Sequence, residues 1–179
     1  VRITGDCPFV DPVLLDQMIT DFQLSTEIDY MSNCSFPSYP DGLDIEIFSS
    51  EALLIAGLEC TDMAQREHVT PWIRESGLFA IAIKQNDVDL SGLRWTVDEP
   101  EDLMVIRAVV DHCEGSSDFS WRDVYELHNN SPNLFSANAK FVRNEGASMG
   151  EGQKLWRRAK RVIPGGNMLL SKRAEMFLP

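Results

Sequence analysis

Short apolar segments alternate along this chain with longer segments that have the hydrophobic spacing of helices. The segments LFAIAIK (residues 78–84) and LRWTV (93–97) are short enough to be strands. The segment after LRWTV begins at Pro100 and repeats apolar residues at helical spacing. This alternation predicts α/β layers around a sheet that is at least partly parallel.

Local signals predict where several other elements begin. Asp11 followed by Pro12 is typical of a helix cap and a first helical residue. Ser120 and Asp123 have the spacing of a capping box and predict a second helix start. The segment LDIEIF (43–48) alternates apolar and acidic residues, which predicts a strand with one exposed face.

Charge is distributed unevenly along the chain. The formal net charge of −12 argues against general affinity for nucleic acid or anionic membranes, which needs a basic surface. Residues 1–130 hold 7 Lys and Arg against 25 Asp and Glu, a net of −18, whereas residues 131–179 hold 9 against 3, a net of +6. Such a division predicts two segments with different roles.

Cysteine spacing and hydropathy indicate the compartment. Four cysteines stand far apart without a C-x-x-C pair, which argues against a disulfide framework or a zinc site and favours reduced thiols in a cytoplasmic protein. No apolar run approaches the ~20 residues of a membrane span, and no signal-peptide pattern is present. Because the chain starts within a predicted strand and without Met, we expect a fragment of a longer protein.

Composition divides the chain into three predicted parts. Residues 1–130 form the α/β domain, and residues 131–150 are polar and Gly-rich, as a mobile linker would be. Residues 151–179 contain a basic amphipathic helix that stops at a Pro-Gly-Gly turn. We expect its apolar stripe to pack on a neighbouring domain, although such a helix also suits a partner or a membrane surface.

Two aspartates follow predicted strands. Asp6 comes after the apolar start of the chain, and Asp98 comes after LRWTV. Ligands of open α/β sheets bind at the carboxyl ends of strands, and two carboxylates meeting there can hold Mg²⁺. The alternatives are that Asp98 caps the next helix and that Asp6 is a turn residue.

Four motifs in order carry a resemblance to a known family. They are VRITGDCPFVDP, YPDGLDIEIFSSEAL, REHVTPWI and WTVDEPEDL. Over roughly residues 1–128 the chain resembles cytidylyltransferases of the spore-coat-polysaccharide type, relatives of the enzymes that make CMP-activated acidic sugars. The resemblance implies the C-terminal part of a three-layer, nucleotide-diphospho-sugar-transferase-like sandwich, with Asp6 and Asp98 as catalytic, metal-binding residues.

The implied reaction is Mg²⁺-dependent transfer of CMP from CTP to a sugar, for cell-surface polysaccharide. CTP and a sugar are therefore the expected partners, and frequent dimerisation in the family implies a homodimer. The resemblance assigns the motif YPDGLDIE to the acceptor sugar: Tyr39 to stack, Gly42 to allow close backbone approach, and Asp41, Asp44 and Glu46 to bind hydroxyls.

Some of these assignments have plainer alternatives. Asp44 and Glu46 also fit the solvent face of a strand. His68, which the resemblance brings near substrate or phosphate, also fits a capping or packing residue at a helix end. The family's Gly-rich, basic phosphate loop does not occur in this sequence, so we expect a fragment that lacks most of the nucleotide side.

The last residues carry a second resemblance. Residues 152–179, GQKLWRRAKRVIPGGNMLLSKRAEMFLP, resemble the start of class III aminotransferases close to glutamate-1-semialdehyde aminomutase. This implies a parent protein that fuses the two enzymes, with pyridoxal phosphate bound only beyond residue 179. Lys154, Lys160 and Lys172 are accordingly given no Schiff-base role.

Two other functions stay open from the sequence. A glycosyltransferase of the same fold class would use a D-x-D motif, and Asp87–Asp89 has those letters, although in a predicted loop. A non-catalytic interaction or assembly module would explain the missing phosphate loop. Product analysis with CTP distinguishes the first alternative, and Mg²⁺-CTP binding distinguishes the second.

Overall fold

A computed structural model of the chain describes residues 1–115, 118–141 and 143. Contacts group Val1–Phe141 into one compact unit. The α-helices are α1 (Pro12–Leu24), α2 (Ser50–Glu59), α3 (Met63–Glu67), α4 (Pro71–Glu75), α5 (Pro100–His112) and α6 (Trp121–Asn130). The strands are β1 (Tyr30–Ser32), β2 (Glu46–Phe48) and β3 (Ile81–Ile83), and a 3₁₀ helix covers Pro132–Asn138. In the described part of the chain, no helix is long and apolar enough to cross a membrane.

The three strands form one mixed sheet in the order β2-β1-β3. Strand β1 is antiparallel to β2, with Met31 opposite Ile47. It is parallel to β3, with Met31 opposite Ala82. The prediction of a partly parallel sheet is therefore confirmed.

Helices cover both faces of this sheet. Neighbouring residues of a strand point to opposite faces, and Tyr30 and Met31 lie in different apolar clusters. The larger cluster joins Met31 to buried residues of α1, α5 and α6. The smaller one joins Tyr30 to buried residues of α2 and α4. The fold therefore has three layers, with the sheet in the middle.

The predicted helix starts are confirmed by their caps. The Asp11 carboxylate accepts a hydrogen bond of 2.8 Å from the Leu14 N–H at the start of α1. Ser120 and Asp123 form the expected capping box of α6. Asp11 also accepts from the Trp121 N–H at 3.0 Å, so one buried carboxylate joins the starts of both helices. Backbone N–H groups at helix starts have no partner within the helix, which is why these side chains stabilise them.

Two predicted strands are shorter than expected. At the start of the chain only Arg2 pairs, in an antiparallel bridge with Glu46. In LRWTV only Arg94 pairs, in a parallel bridge with Asp41. The chain turns at Gly5 and Asp6, which ends the first pairing early.

The compact unit continues to Phe141, beyond the boundary predicted at residue 130. The 3₁₀ helix packs against α5 and α6 and buries Phe135 and Asn138. These residues lie in a polar segment that is typical of a linker, but their side chains find partners on the core. Residues 144–150 of the predicted linker, and the predicted basic helix and aminotransferase-like start at 151–179, lie outside the described residues.

Glu46 is buried, so the predicted exposed face of its strand is wrong. Its carboxylate pairs with the Arg2 guanidinium and accepts hydrogen bonds from the Tyr30 hydroxyl and, at 2.6 Å, from the Thr70 hydroxyl. Burial raises the pKa of Tyr30, and the charge of Glu46 raises it further. One carboxylate thus connects the start of the chain, β1, β2 and the start of α4.

Replacing Glu46 should reduce stability more than replacing one of its donors. Glu46→Leu leaves the Tyr30 and Thr70 hydroxyls buried without their acceptor, and we expect a loss of about 3 kcal/mol in the free energy of unfolding. Thr70→Val removes one hydrogen bond and should cost about 1 kcal/mol. Urea denaturation measures both, and equal losses in the two variants would contradict this account of Glu46.

Candidate active site

The structure brings the backbone of Asp6 against the segment that leads to Asp98. The Val97 N–H donates to the Asp6 carbonyl oxygen at 2.8 Å, and the Thr96 hydroxyl donates to the same oxygen at 3.1 Å. Asp6 is half-buried in a turn, and the side chain of Asp98 is 55% exposed. The turn that contains Asp6 thus lies beside the segment that ends at Asp98.

This pair fits the ligand preference of Mg²⁺, which takes carboxylate oxygens and retains other positions for water and phosphate. Within residues 1–115, 118–141 and 143, no group of three or more His, Cys, Asp and Glu side chains can hold a metal ion. An ion bound by Asp6 and Asp98 would therefore take its other ligands from water and from a substrate.

Asp98 is not the cap of the next helix. Glu99 caps α5, in a capping box with Asp102. The Asp102 carboxylate accepts hydrogen bonds from the N–H of Asp98 at 3.0 Å and of Glu99 at 2.9 Å. The alternative that Asp98 caps α5 is therefore wrong. Its carboxylate instead accepts a hydrogen bond from Arg94.

Arg94 connects three carboxylates of this region. Its guanidinium contacts Asp102 through two nitrogens, Nε at 2.9 Å and Nη2 at 2.8 Å. Nη2 also donates to Asp98 at 2.9 Å, and Nη1 donates to Asp41 at 3.1 Å. The Arg94 side chain is only 9% exposed, and that of Asp102 is fully buried. A planar fork of donors suits such multiple contacts, which a lysine could not reproduce.

Burial and charge act in opposite directions on this cluster. Burial by itself lowers the pKa of Arg94, but the hydrogen bonds and charges of Asp102, Asp98 and Asp41 outweigh it, so the net shift is upward. Burial by itself raises the pKa of Asp102, but hydrogen bonds from Arg94, Asn138 and two backbone N–H groups bring that pKa below its usual range. Both groups are thus held in their charged forms.

The sequence predicted no site role for Arg94, Asp102 or Asn138. Asn138 donates to Asp102 at 2.9 Å and to the Arg94 carbonyl oxygen at 3.1 Å. The available signal was an arginine inside the otherwise apolar segment LRWTV. A charged residue in a buried segment requires a partner, so this arginine indicates that acidic residues lie nearby.

The pKa shift of Asp102 predicts how stability changes with pH. Because its native pKa lies below the unfolded value of about 3.9, the ionised carboxylate stabilises the fold above that pH. This contribution is lost as the pH falls through the native pKa. Urea denaturation between about pH 6 and pH 3 should show a shallower decline for Asp102→Asn than for the wild type. Parallel curves would contradict the assignment.

On the predicted sugar side, Asp41 and Gly42 lie against LRWTV. The Asp41 N–H donates to the Leu93 carbonyl at 2.9 Å, and the Asp41 carbonyl accepts from the Trp95 N–H at 2.7 Å. Gly42 has φ +103°, and a Cβ there would lie 2.5 Å from the Thr96 nitrogen and from the Trp95 carbonyl carbon. Because Gly42 has no side chain, its backbone packs closely against the backbone of LRWTV.

Gly42→Ala should be much more destabilising than Gly77→Ala. Both glycines have positive φ, but a Cβ at Gly77 would have no neighbour within 4 Å. We expect a loss of about 1 kcal/mol at Gly77 from backbone strain alone and about 3 kcal/mol or more at Gly42. Thermal and urea denaturation measure the difference, and similar losses would contradict the close packing at Gly42.

Tyr39 is buried instead of presenting an exposed ring. Its ring meets Trp121 edge-on, with centroids 5.6 Å apart. The two rings line a cavity of about 150 Å³ together with Asp11, Gln17 and Arg122. The structure thus places the predicted stacking residue in the wall of a small cavity.

Asp44 lies near two thiols, that of buried Cys7 and that of half-buried Cys34. Burial raises the pKa of Cys34 to about 12, and the charge of Asp44 adds to this effect. Burial likewise raises the pKa of Cys7 to about 11, with further contributions from the charges of Asp6 and Asp44. Both thiols are protonated at neutral pH, so they are poor nucleophiles and poor metal ligands.

The other predicted positions lie on the surface. His68 is exposed beside Val69, whose φ of 69° is rare for a β-branched residue. The Asp89 carboxylate of the D-x-D motif accepts hydrogen bonds from the N–H and hydroxyl of Ser91, at 3.0 and 2.6 Å. Contacts of this kind stabilise a turn, so Asp89 of the D-x-D motif has a structural role in its own loop.

Known proteins resemble this chain in sequence and in fold. It is 30% identical over 137 residues, 74% of this chain and 55% of the relative, to the spore coat polysaccharide biosynthesis protein SpsF of Bacillus subtilis. It is 33% identical over 115 residues, 63% of this chain and 46% of the relative, to the uncharacterized protein MJ1063 of Methanocaldococcus jannaschii. No protein-family model matches the chain.

A solved structure of a cytidylyltransferase from Leptospira borgpetersenii superimposes with a TM-score of 0.71 at 30% identity, over 75% of this chain and 57% of that one. The fold matches a cytidylyltransferase. The predicted resemblance to spore-coat-type cytidylyltransferases is thus supported in both sequence and structure. The chain spans about half the length of the curated relatives that it matches.

Proposed function

We propose that this chain carries the metal and sugar sides of a cytidylyltransferase site, which transfers CMP from CTP to a sugar for polysaccharide synthesis. The observation that carries the proposal is the contact between Asp6 and Val97, which brings two aspartates from separate segments to one edge of the fold. The similarity to SpsF and to a cytidylyltransferase structure supports this reaction class.

In this proposal, Asp6 and Asp98 hold Mg²⁺. A bound Mg²⁺ offsets negative charge on the phosphates of CTP and helps align the reactants. The sugar hydroxyl oxygen forms a bond to the α-phosphorus of CTP, its proton passes to water, and pyrophosphate leaves with the electrons of the bond that breaks. The hydrogen bond from Val97 to Asp6 keeps the backbones of the two segments together. Fixed placement of reacting groups is much of what this chemistry requires.

We assign the acceptor sugar to the neighbouring residues Asp41, Gly42, Asp44 and Tyr39. Asp41 lies in the contact with LRWTV, where its carboxylate pairs with Arg94, and Asp44 is half-buried nearby in the sequence. Carboxylate oxygens accept hydrogen bonds from hydroxyl groups. Exposed His68 stays assigned to substrate or phosphate. Glu46 receives a different role from the predicted one, because its oxygens already serve Arg2, Tyr30 and Thr70.

Three further parts of the proposal extend beyond the described residues. A nucleotide side that includes a phosphate loop would belong to the part of the relatives' length that this chain does not span. A homodimer and a fusion to an aminotransferase through residues 152–179 stay predictions from the resemblances.

Calorimetric titration with Mg²⁺ and CTP tests the proposal. It is applied to this chain and to a form extended to the full length of its relatives, with Asp6→Ala and Asp98→Ala variants of each. We expect binding in the extended form and a loss of at least about tenfold in affinity in both variants, because each removes a metal ligand.

Asp89→Ala is the matched control, since it removes a carboxylate that contacts only its own turn in the hydrogen bonds described above. It should bind like the wild type. Absence of Mg²⁺-CTP binding in the extended form would contradict the enzyme proposal and favour an interaction module. Loss of binding in Asp89→Ala alone would place the metal at Asp87–Asp89 and contradict the assignment of Asp6 and Asp98.

A further inference from the structure

We infer that Arg94 is a positioning residue, which orients Asp98 toward the metal and Asp41 toward the sugar from a single, immobilised guanidinium. This inference rests on the proposed function. It adds a role for Arg94, Asp102 and Asn138, none of which was among the predicted site residues.

One side of the guanidinium is fixed by the protein interior. Asp102, whose side chain is fully buried, accepts from both Nε and Nη2. Asn138 holds Asp102 in turn and also donates to the Arg94 backbone. The Phe141 ring lies 5.7 Å from the Arg94 Cζ. These contacts prevent rotation of the guanidinium plane, since a two-point contact defines its orientation.

The other side presents donors to two carboxylates of the proposed site. Nη2 donates to Asp98 and Nη1 donates to Asp41. Together with the two bonds to Asp102, these contacts occupy four of the five N–H groups that an arginine has. The guanidinium plane fixes the direction of each N–H group, so its orientation determines where the Asp98 and Asp41 carboxylates lie.

Stability alone does not account for the contact with Asp98. The Asp98 side chain is 55% exposed, and an exposed ion pair four residues apart contributes little to stability. Asp102 already balances the charge of Arg94 inside the protein. The contact with Asp98 therefore acts mainly on the orientation of this carboxylate, whose remaining oxygen positions stay available to an ion.

Charge balance points in the same direction. One guanidinium faces three carboxylates, so the cluster has an excess of two negative charges when all are ionised. A divalent cation at Asp98 would compensate this excess. Preorganised ligands lose less conformational freedom when they bind, so a fixed Asp98 binds a metal more tightly than a mobile one.

Paramagnetic NMR with Mn²⁺ as the probe tests the inference without measuring activity. Mn²⁺ is titrated into the isotope-labelled full chain, and the broadening of the Asp6 and Asp98 amide signals reports its affinity for the site. The variants are Arg94→Lys, which keeps the charge but lacks the planar fork, and Asn138→Ala, which contacts neither Asp98 nor Asp41 in the hydrogen bonds described.

We expect Arg94→Lys to weaken Mn²⁺ binding about tenfold and Asn138→Ala to weaken it severalfold, as is common for residues that orient metal ligands. Ile73→Val is the control, because it removes a buried methyl group from the opposite side of the sheet and destabilises the fold without altering the Arg94 cluster. It should leave the affinity unchanged.

The outcomes separate this inference from the proposed function. Broadening of Asp6 and Asp98 with equal affinities in all variants would overturn the role of Arg94 and leave the metal site in place. Absence of broadening at these two residues in the wild type would overturn the metal site, and the inference with it. If Arg94→Lys does not fold, the comparison of Asn138→Ala with Ile73→Val decides.

Discussion

The buried pair of Arg94 and Asp102 is the contact on which the arrangement of the site depends. Asp102 accepts a hydrogen bond from the N–H of Glu99 at the start of α5, two hydrogen bonds from Arg94 and another from Asn138. It thereby joins LRWTV, the helix after it and the 3₁₀ helix at Pro132–Asn138. A buried charge requires full compensation, and each of these partners contributes to it.

The pair of Arg94 and Asp102 also explains why the segment that ends at Asp98 lies beside the turn at Asp6. Once LRWTV is held against α5, Val97 donates to the Asp6 carbonyl, and Trp95 donates to the Asp41 carbonyl. The segment thus lies between the turn at Asp6 and the loop at Gly42, whose missing side chain allows the approach. The backbone hydrogen bonds set the positions of these segments, and the Arg94 guanidinium orients the Asp98 and Asp41 carboxylates.

Features with a local cause could be predicted from the sequence. The starts of α1 and α6 follow from Asp11 and Ser120, each of which accepts a hydrogen bond from the backbone N–H three residues along the chain. A general rule about strand ends predicted that Asp6 and Asp98 lie together; the structure joins their backbone segments through Val97, although only Arg2 and Arg94 make strand-like pairings there. The family resemblance, now supported by SpsF and by a cytidylyltransferase structure, predicted the fold class.

Features with a distant cause could not be predicted. Glu46 alternates with apolar neighbours as an exposed residue does, yet Thr70 and Arg2 approach it from far along the chain and make burial favourable. Asn138 lies in a polar segment that is typical of a linker, and its partner Asp102 is 36 residues away. Pairings of this kind leave no pattern in the nearby sequence, so only the folded structure identifies them.

In the proposed site, Asp6 and Asp98 together hold a divalent cation. The most direct measurement is an anomalous difference map from crystals of the chain soaked with Mn²⁺. The account predicts a peak within coordination distance of both carboxylates, and weaker or no density there in Asp98→Asn crystals. A strong peak elsewhere, such as at Asp87–Asp89, with none between Asp6 and Asp98 would contradict it.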